Sequence, residues 1–193
     1  SPPRNHTVLQ ALTECFTIHE SSFFRHNNVF DVLRKEILPL LIKDNKNEKK
    51  LRIWSAGCAS GQEIYSLMML IETHFPDLDA WNVQSLATDI SPACILKAQR
   101  GLFHDFEIQR GLSEENRNKY FSKLDNDLWK IDSKIQDRIE FSTLNLAQPF
   151  WHSNDFDIIF LRNVLIYFSE DARTNVLQRI IRHLKPDGVL ILG

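Results

Sequence analysis

The sequence predicts an α/β domain built on a doubly wound parallel sheet. Three observations carry this. Short apolar runs alternate with stretches of helical periodicity from residue 51 onward, the order that a parallel sheet with crossover helices requires. A turn of small residues, Gly57-Cys58-Ala59-Ser60-Gly61, joins the first apolar run to the first of those helical stretches. Polar residues collect where the apolar runs stop, and open parallel sheets bind ligands outside the carboxyl ends of their strands.

The elements follow in order. Thr7 to His19 places Val8, Leu9, Leu12, Cys15 and Phe16 at helical spacing. Asn28 to Ile42 is a second helix, with Pro39 awkward near its end, and the charged run Asp44 to Lys50 is a loop. Leu51 to Ser55 is the first strand and Gln62 to Phe75 the helix after it. Val83 to Thr88 is the second strand; Ser91 then caps a helix whose first position is Pro92. Residues 101–137 are polar, with scattered aromatics. They predict a short helix over Ser113 to Phe121, opened by a Ser-x-x-Asn cap, and a small hairpin near Asp127 to Ile135. Ile139 to Ser142 and Phe156 to Leu161 are the third and fourth strands, the fourth with an aspartate inside it. Glu170 to Leu184 is helical, Lys185-Pro186-Asp187-Gly188 is a stop and a turn, and Val189 to Leu192 is the fifth strand.

Composition excludes several classes. With 193 residues the chain makes one domain, or one with a small appendage, and a net charge of −2 gives no pull toward nucleic acid or anionic membrane. No apolar run approaches the ~20 residues of a membrane span, and Ser1-Pro2-Pro3-Arg4 does not read as a signal peptide. Three widely spaced cysteines suit a reduced, cytoplasmic protein better than a disulfide framework. The histidines show no metal spacing, and no Gly-x-Ser-x-Gly elbow occurs, so metalloenzyme and hydrolase readings lack support.

The small-residue turn does not have the Gly-x-Gly-x-x-Gly spacing of a dinucleotide site. Gly57, Ala59 and Gly61 at alternate positions let backbone approach a ligand where a β-carbon would clash. Glu63, in the first turn of the following helix, would repel a pyrophosphate and welcome a cation; the helix dipole alone also accounts for a carboxylate there. Asp89 ends the second strand, where an acid accepts ribose hydroxyls; it could also cap the next helix, a task Ser91 fills better. Asn145 and Leu146 follow the third strand, an amide and an apolar side chain suited to an adenine edge and face, or to an ordinary turn. Arg162, Asn163 and Tyr167 follow the fourth strand; Tyr167 reads equally as a core ring. Phe23-Phe24-Arg25 precedes the α/β unit, two packing aromatics and a cation.

The turn resembles the Gly-x-Gly-x-Gly turn of S-adenosylmethionine (SAM) methyltransferases, with Ala59 in the middle position. Taken together, Ser21-Ser22-Phe23-Phe24-Arg25, Trp54 to Ser66, Ala87-Thr88-Asp89-Ile90-Ser91, Asn145-Leu146 and Phe160 to Phe168 resemble the CheR family of chemotaxis receptor methyltransferases, over roughly residues 6–193. Ser21 departs from the usual Thr and Leu161 from the usual Cys. Most of the family's N-terminal helical domain is absent, as is the stretch beyond Gly193. The resemblance implies a Rossmann-like SAM-methyltransferase sheet over residues 46–193, a short helical segment over 1–45, and a small inserted β subdomain at about 101–137 that touches the receptor. It implies SAM, with S-adenosylhomocysteine as product, bound by Ser21, Arg25, Ala56, Gly57, Glu63, Asp89, Asn145, Leu146, Arg162, Asn163 and Tyr167. It makes Arg25 and Tyr167 catalytic, with no metal. The expected reaction esterifies glutamate side chains on the cytoplasmic domain of chemoreceptors, performed by a cytoplasmic monomer without nucleic acid or membrane insertion. A SAM-binding sensor or scaffold without turnover, or a methyltransferase for another substrate, is the alternative.

Overall fold

The computed structural model describes residues 21–124, 127–150 and 155–193, so the helix expected at Thr7 to His19 lies outside the described residues. The described chain runs α1 (Asn27–Val32), a π-helical turn (Leu33–Ile37), α2 (Leu38–Asp44), β1 (Lys50–Ala56), α3 (Gln62–His74), β2 (Asn82–Asp89) and α4 (Pro92–Arg100). An inserted unit follows: β3 (Leu102–His104), α5 (Asp105–Gln109), α6 (Glu114–Tyr120), β4 (Phe121–Lys123), β5 (Leu128–Ile131) and α7 (Ser133–Gln136). The chain then returns through β6 (Ile139–Thr143), β7 (Phe156–Leu161), α8 (Glu170–Ile181) and β8 (Leu184–Leu192).

The main sheet has the order β6-β2-β1-β7-β8, every neighbouring pair parallel. The strand order reverses between β1 and β7. That makes the gap beyond Ala56 and Leu161 the place where a doubly wound sheet binds its ligand. Successive strand residues point to opposite faces. Leu51 and Ile53 of β1 thus join one core cluster, while Trp54 and Ala56 join the other. Every residue of β7 is buried, as a central strand covered on both faces must be. Asp157 inside it is compensated: its carboxylate accepts from Arg52 N (2.7 Å) and Asn45 Nδ2 (3.0 Å) and pairs with Lys185 Nζ (2.7 Å). A buried charge without such partners would cost several kcal/mol (about 3–5).

Three expectations change in detail. The helix read as Asn28 to Ile42 passes through a π turn, where Leu38 N donates to Leu33 O, five residues back. Pro39 lacks an N–H and crowds the preceding turn, and one extra residue per turn relieves both. The fifth strand begins at Leu184 rather than Val189. Phe156 pairs with Leu184 and Ile158 with Val189, so Lys185 to Gly188 form an irregularity inside the strand instead of a turn before it. Proline is tolerated at such a bulge because no ladder bond is asked of it. The predicted hairpin lies at Phe121 to Ile131, and β3 adds a third strand, in the antiparallel order β3-β5-β4. Asp132 ends β5 by accepting from Lys134 N (2.8 Å) and starting α7. The inserted sheet is anchored by Phe103 and Phe121, which meet the buried Phe23 ring edge-on at 5.1 and 5.5 Å. No described helix is long and apolar enough to cross a membrane.

Candidate active site

The small-residue turn is bolted to the end of β2. Gly57 N and Cys58 N both donate to Thr88 O (2.7 and 2.9 Å), and Ala59 N donates to Asp89 Oδ2 (2.8 Å). Gly57, Ala59 and Gly61 take positive φ values of 89°, 47° and 92°. The neighbours that demand small residues are protein atoms. A β-carbon at Gly57 would stand 2.2 Å from Val164 Cγ2, and one at Gly61 would stand 3.0 Å from the Tyr65 ring and 3.1 Å from Ala98 Cβ. These glycines let the turn pack between the loop after β7 and α4.

Asp89 is buried, and its second oxygen accepts from Ser91 N (3.0 Å). Ser91 itself caps α4 by accepting from Cys94 N, so Asp89 is not the cap. Leu144 N donates to Asp89 O (2.8 Å), which sets Asn145 and Leu146 beside the same strand end. Asn145 Oδ1 accepts from Ala147 N (2.9 Å) and shapes that turn. Leu146 packs into the core cluster of Trp54, Ala56 and Leu161.

Glu63 accepts from Ser55 Oγ (2.9 Å) and pairs with Arg162 Nη1 (3.0 Å). Burial lifts its carboxyl above the usual range, opposed by Arg162, the Ser55 hydroxyl and Arg25. Glu63 thus has a cationic partner within the fold, Arg162. Arg162 is buried at the end of β7; its Nη2 donates to Arg25 O (2.9 Å) and to His26 Nδ1 (2.7 Å). Its buried Nε has no hydrogen-bond partner among the described residues. Phe24 N donates to Ser66 Oγ (2.9 Å), and the Phe24 ring meets Phe30 edge-on, so α3 and α1 both hold the segment that carries Arg25.

Asn163 takes a left-handed φ of 57°, tolerable for asparagine. Val164 comes next and packs on Gly57, while Leu165–Tyr167 form a single 3-10 turn with Tyr167 45% exposed. Tyr167 is therefore a mouth residue, not a core ring. Ser21 opens the Arg25 segment and is partly exposed. Ser55, Ser66, His26 and Val164 escaped the sequence reading; of these, Ser55 alone carries a signal, a polar residue at a buried strand end. Burial and the nearby carboxylates Asp89 and Glu63 push the Cys58 thiol well up, so it is no nucleophile. No group of His, Cys, Asp and Glu among the described residues is arranged to hold a metal ion. A cavity of about 360 Å³ bordered by Phe24, Phe30, Met69 and Ser113 contains none of the candidate residues.

A doubly wound parallel sheet whose strand order reverses beyond Ala56 and Leu161, with the buried acid Asp89 held against the turn after β1, fits a ligand that donates hydroxyl hydrogen bonds. This is the arrangement of a SAM-dependent methyltransferase. The chain belongs to the CheR family: the family's SAM-binding domain, described as "CheR methyltransferase, SAM binding domain", matches residues 19–193. The chain is 40% identical over 188 residues to chemotaxis protein methyltransferase 1 of Pseudomonas aeruginosa, covering 95% of this chain and 68% of that protein. It is 36% identical over 188 residues to chemotaxis protein methyltransferase Cher2 of Pseudomonas putida, with the same two coverages of 95% and 68%. It is also 36% identical over 186 residues to the chemotaxis protein methyltransferase of Listeria monocytogenes, covering 96% of this chain and 68% of that protein. Among solved structures, PKMT2 from Rickettsia typhi in complex with AdoHcy superposes with a TM-score of 0.47 and 18% identity over 75% of this chain and 21% of that one. The cofactor of this chain is SAM.

Proposed function

We propose that the chain transfers the methyl group of SAM to glutamate side-chain carboxylates in the cytoplasmic domains of chemotaxis receptors, yielding glutamyl methyl esters and S-adenosylhomocysteine. The observation that carries this reading is the tie from Glu63 through Arg162 to Arg25, which holds an arginine-bearing segment against the cofactor-binding turn. The names of the relatives supply the chemotaxis substrate class.

The bound cofactor supplies an electrophilic methyl on a sulfonium centre. A glutamate is ionised at neutral pH, so the acceptor needs no general base. What remains for the protein is orientation and charge control. In this reading Asp89 accepts the ribose hydroxyls, and Ala56, Gly57, Asn145, Leu146 and Asn163 line the nucleoside end. Glu63 and Arg162 act as one unit that sets the height of the Arg25 segment, with Ser21 at its start. Arg25 presents a planar fork to the acceptor carboxylate, and exposed Tyr167 shapes the mouth where donor and acceptor meet. The protein works as a cytoplasmic monomer on the receptor's cytoplasmic part, with no metal and no nucleic acid. A receptor cytoplasmic domain incubated with methyl-labelled SAM should take up label, and the same domain with its methyl-accepting glutamates changed to glutamine should not. Label on both would point to another acceptor chemistry.

A further inference from the structure

Arg162 reaches one partner that the proposed mechanism does not use, the imidazole of His26. Its Nη2 lies 2.7 Å from His26 Nδ1 and 2.9 Å from the carbonyl oxygen of Arg25. A guanidinium has donors and no acceptor, so Nδ1 must offer a lone pair. The tautomer that makes this contact carries its N–H at Nε2. The backbone is bent to make the contact: His26 has φ 59° and ψ 74°, the left-handed region, immediately before α1. A non-glycine residue adopts that conformation at a cost. The same residue's carbonyl accepts from Val29 N (2.9 Å) and starts the helix. Arg162, from the end of β7, meets this imidazole and pairs with Glu63 of α3 through its other terminal nitrogen.

We propose that His26 is a positioning residue for methyl transfer. Its imidazole, acting through Arg162, clamps the Arg25 segment to the Glu63–Arg162 pair. The inference rests on the reading of Arg25 as the group that orients the acceptor carboxylate. His26 touches neither donor nor acceptor. Its effect falls on receptor turnover, while cofactor binding, governed by Asp89 and the turn, is left nearly intact.

Two variants separate the side chain from the backbone. His26→Asn keeps an acceptor at the Nδ1 position and tolerates a left-handed φ, and His26→Gly removes the acceptor while easing the backbone. The full chain is assayed with receptor cytoplasmic domain for kcat and KM, and by calorimetry for SAM, near neutral pH. His26→Gly should fold, bind SAM as the parent does, and lose about five- to ten-fold in kcat/KM for receptor near neutral pH, the scale of one partly exposed charge-assisted hydrogen bond. His26→Asn should stay within about two-fold of the parent, because the acceptor is kept. Parent-like kcat/KM in His26→Gly, or an equal loss in both variants, would each overturn the proposal. Arg25→Ala serves as the control. Parent-like turnover there removes both the acceptor-orienting reading and this inference, whereas slow Arg25→Ala with normal His26→Gly removes the inference alone.

Discussion

Replacing Arg162 by methionine would show how the site holds itself together. The guanidinium bridges Glu63, the carbonyl of Arg25 and the imidazole of His26 from a position that is almost fully buried. Methionine fills a similar length without charge and leaves the Glu63 carboxylate with the Ser55 hydroxyl at 2.9 Å. Breaking a buried ion pair from one side costs about 3–5 kcal/mol. The Glu63 side chain is 16% exposed, so water relieves part of the stranded charge and the low end applies. The expected loss is about 3 kcal/mol. Its pH dependence has a definite sign. Burial already raises the folded carboxyl above its unfolded range, so Glu63 contributes most to stability when protonated, and that contribution is lost as pH rises through the folded pKa. Arg162 is the largest influence opposing this rise, and without it the folded pKa moves further up. Urea unfolding of Arg162→Met should therefore show a small deficit in acid that widens toward neutral pH. Adding Glu63→Gln should recover part of the deficit at neutral pH by removing the orphaned charge. A deficit that is flat with pH, or smaller than ~1 kcal/mol near neutrality, would refute the reasoning.

Asp89→Ala should weaken SAM binding by about 1–3 kcal/mol in calorimetry, and should also lower the melting temperature because Ala59 N and Ser91 N lose their acceptor. Arg25→Ala should slow receptor methylation by ~10²-fold or more in initial-rate assays, with lysine a poor substitute for the planar fork. Gly57→Ala should cost about 2–5 kcal/mol in urea unfolding, adding strain at φ 89° to a clash at 2.2 Å with Val164, and trimming Val164 to alanine in the same chain should return the clash portion.

The sheet was legible because each strand of a doubly wound domain is a local event. β1, β2, β6 and β7 were read within a residue or so of their ends, since an apolar run stands out between two helical patterns. β3 was not, because Leu102-Phe103-His104 is too short to alternate and is a strand only by pairing with β5. Lys185-Pro186-Asp187-Gly188 carries the chemistry of a turn, and only the ladder to β7 shows that it lies inside a strand. The candidate site divides along the same line. The acid after β2 and the arginine after β7 could be named from their positions. Their partners could not: Glu63 and Arg162 are 99 residues apart, Asp89 and Ala59 30 apart. For that reason neither the pairing of Glu63 with Arg162 nor the packing of Val164 on Gly57 could be read from the sequence.

The most direct measurement follows the methyl group itself. The chain is incubated with methyl-labelled SAM and a receptor cytoplasmic domain, and the modified receptor is digested, mapped by mass spectrometry and treated with mild base. The account predicts one added methyl on glutamate side chains, released by base as methanol, since a carboxyl ester hydrolyses where an N-methyl group does not. Label that resists base, or tight SAM binding with no label on any receptor, would contradict it.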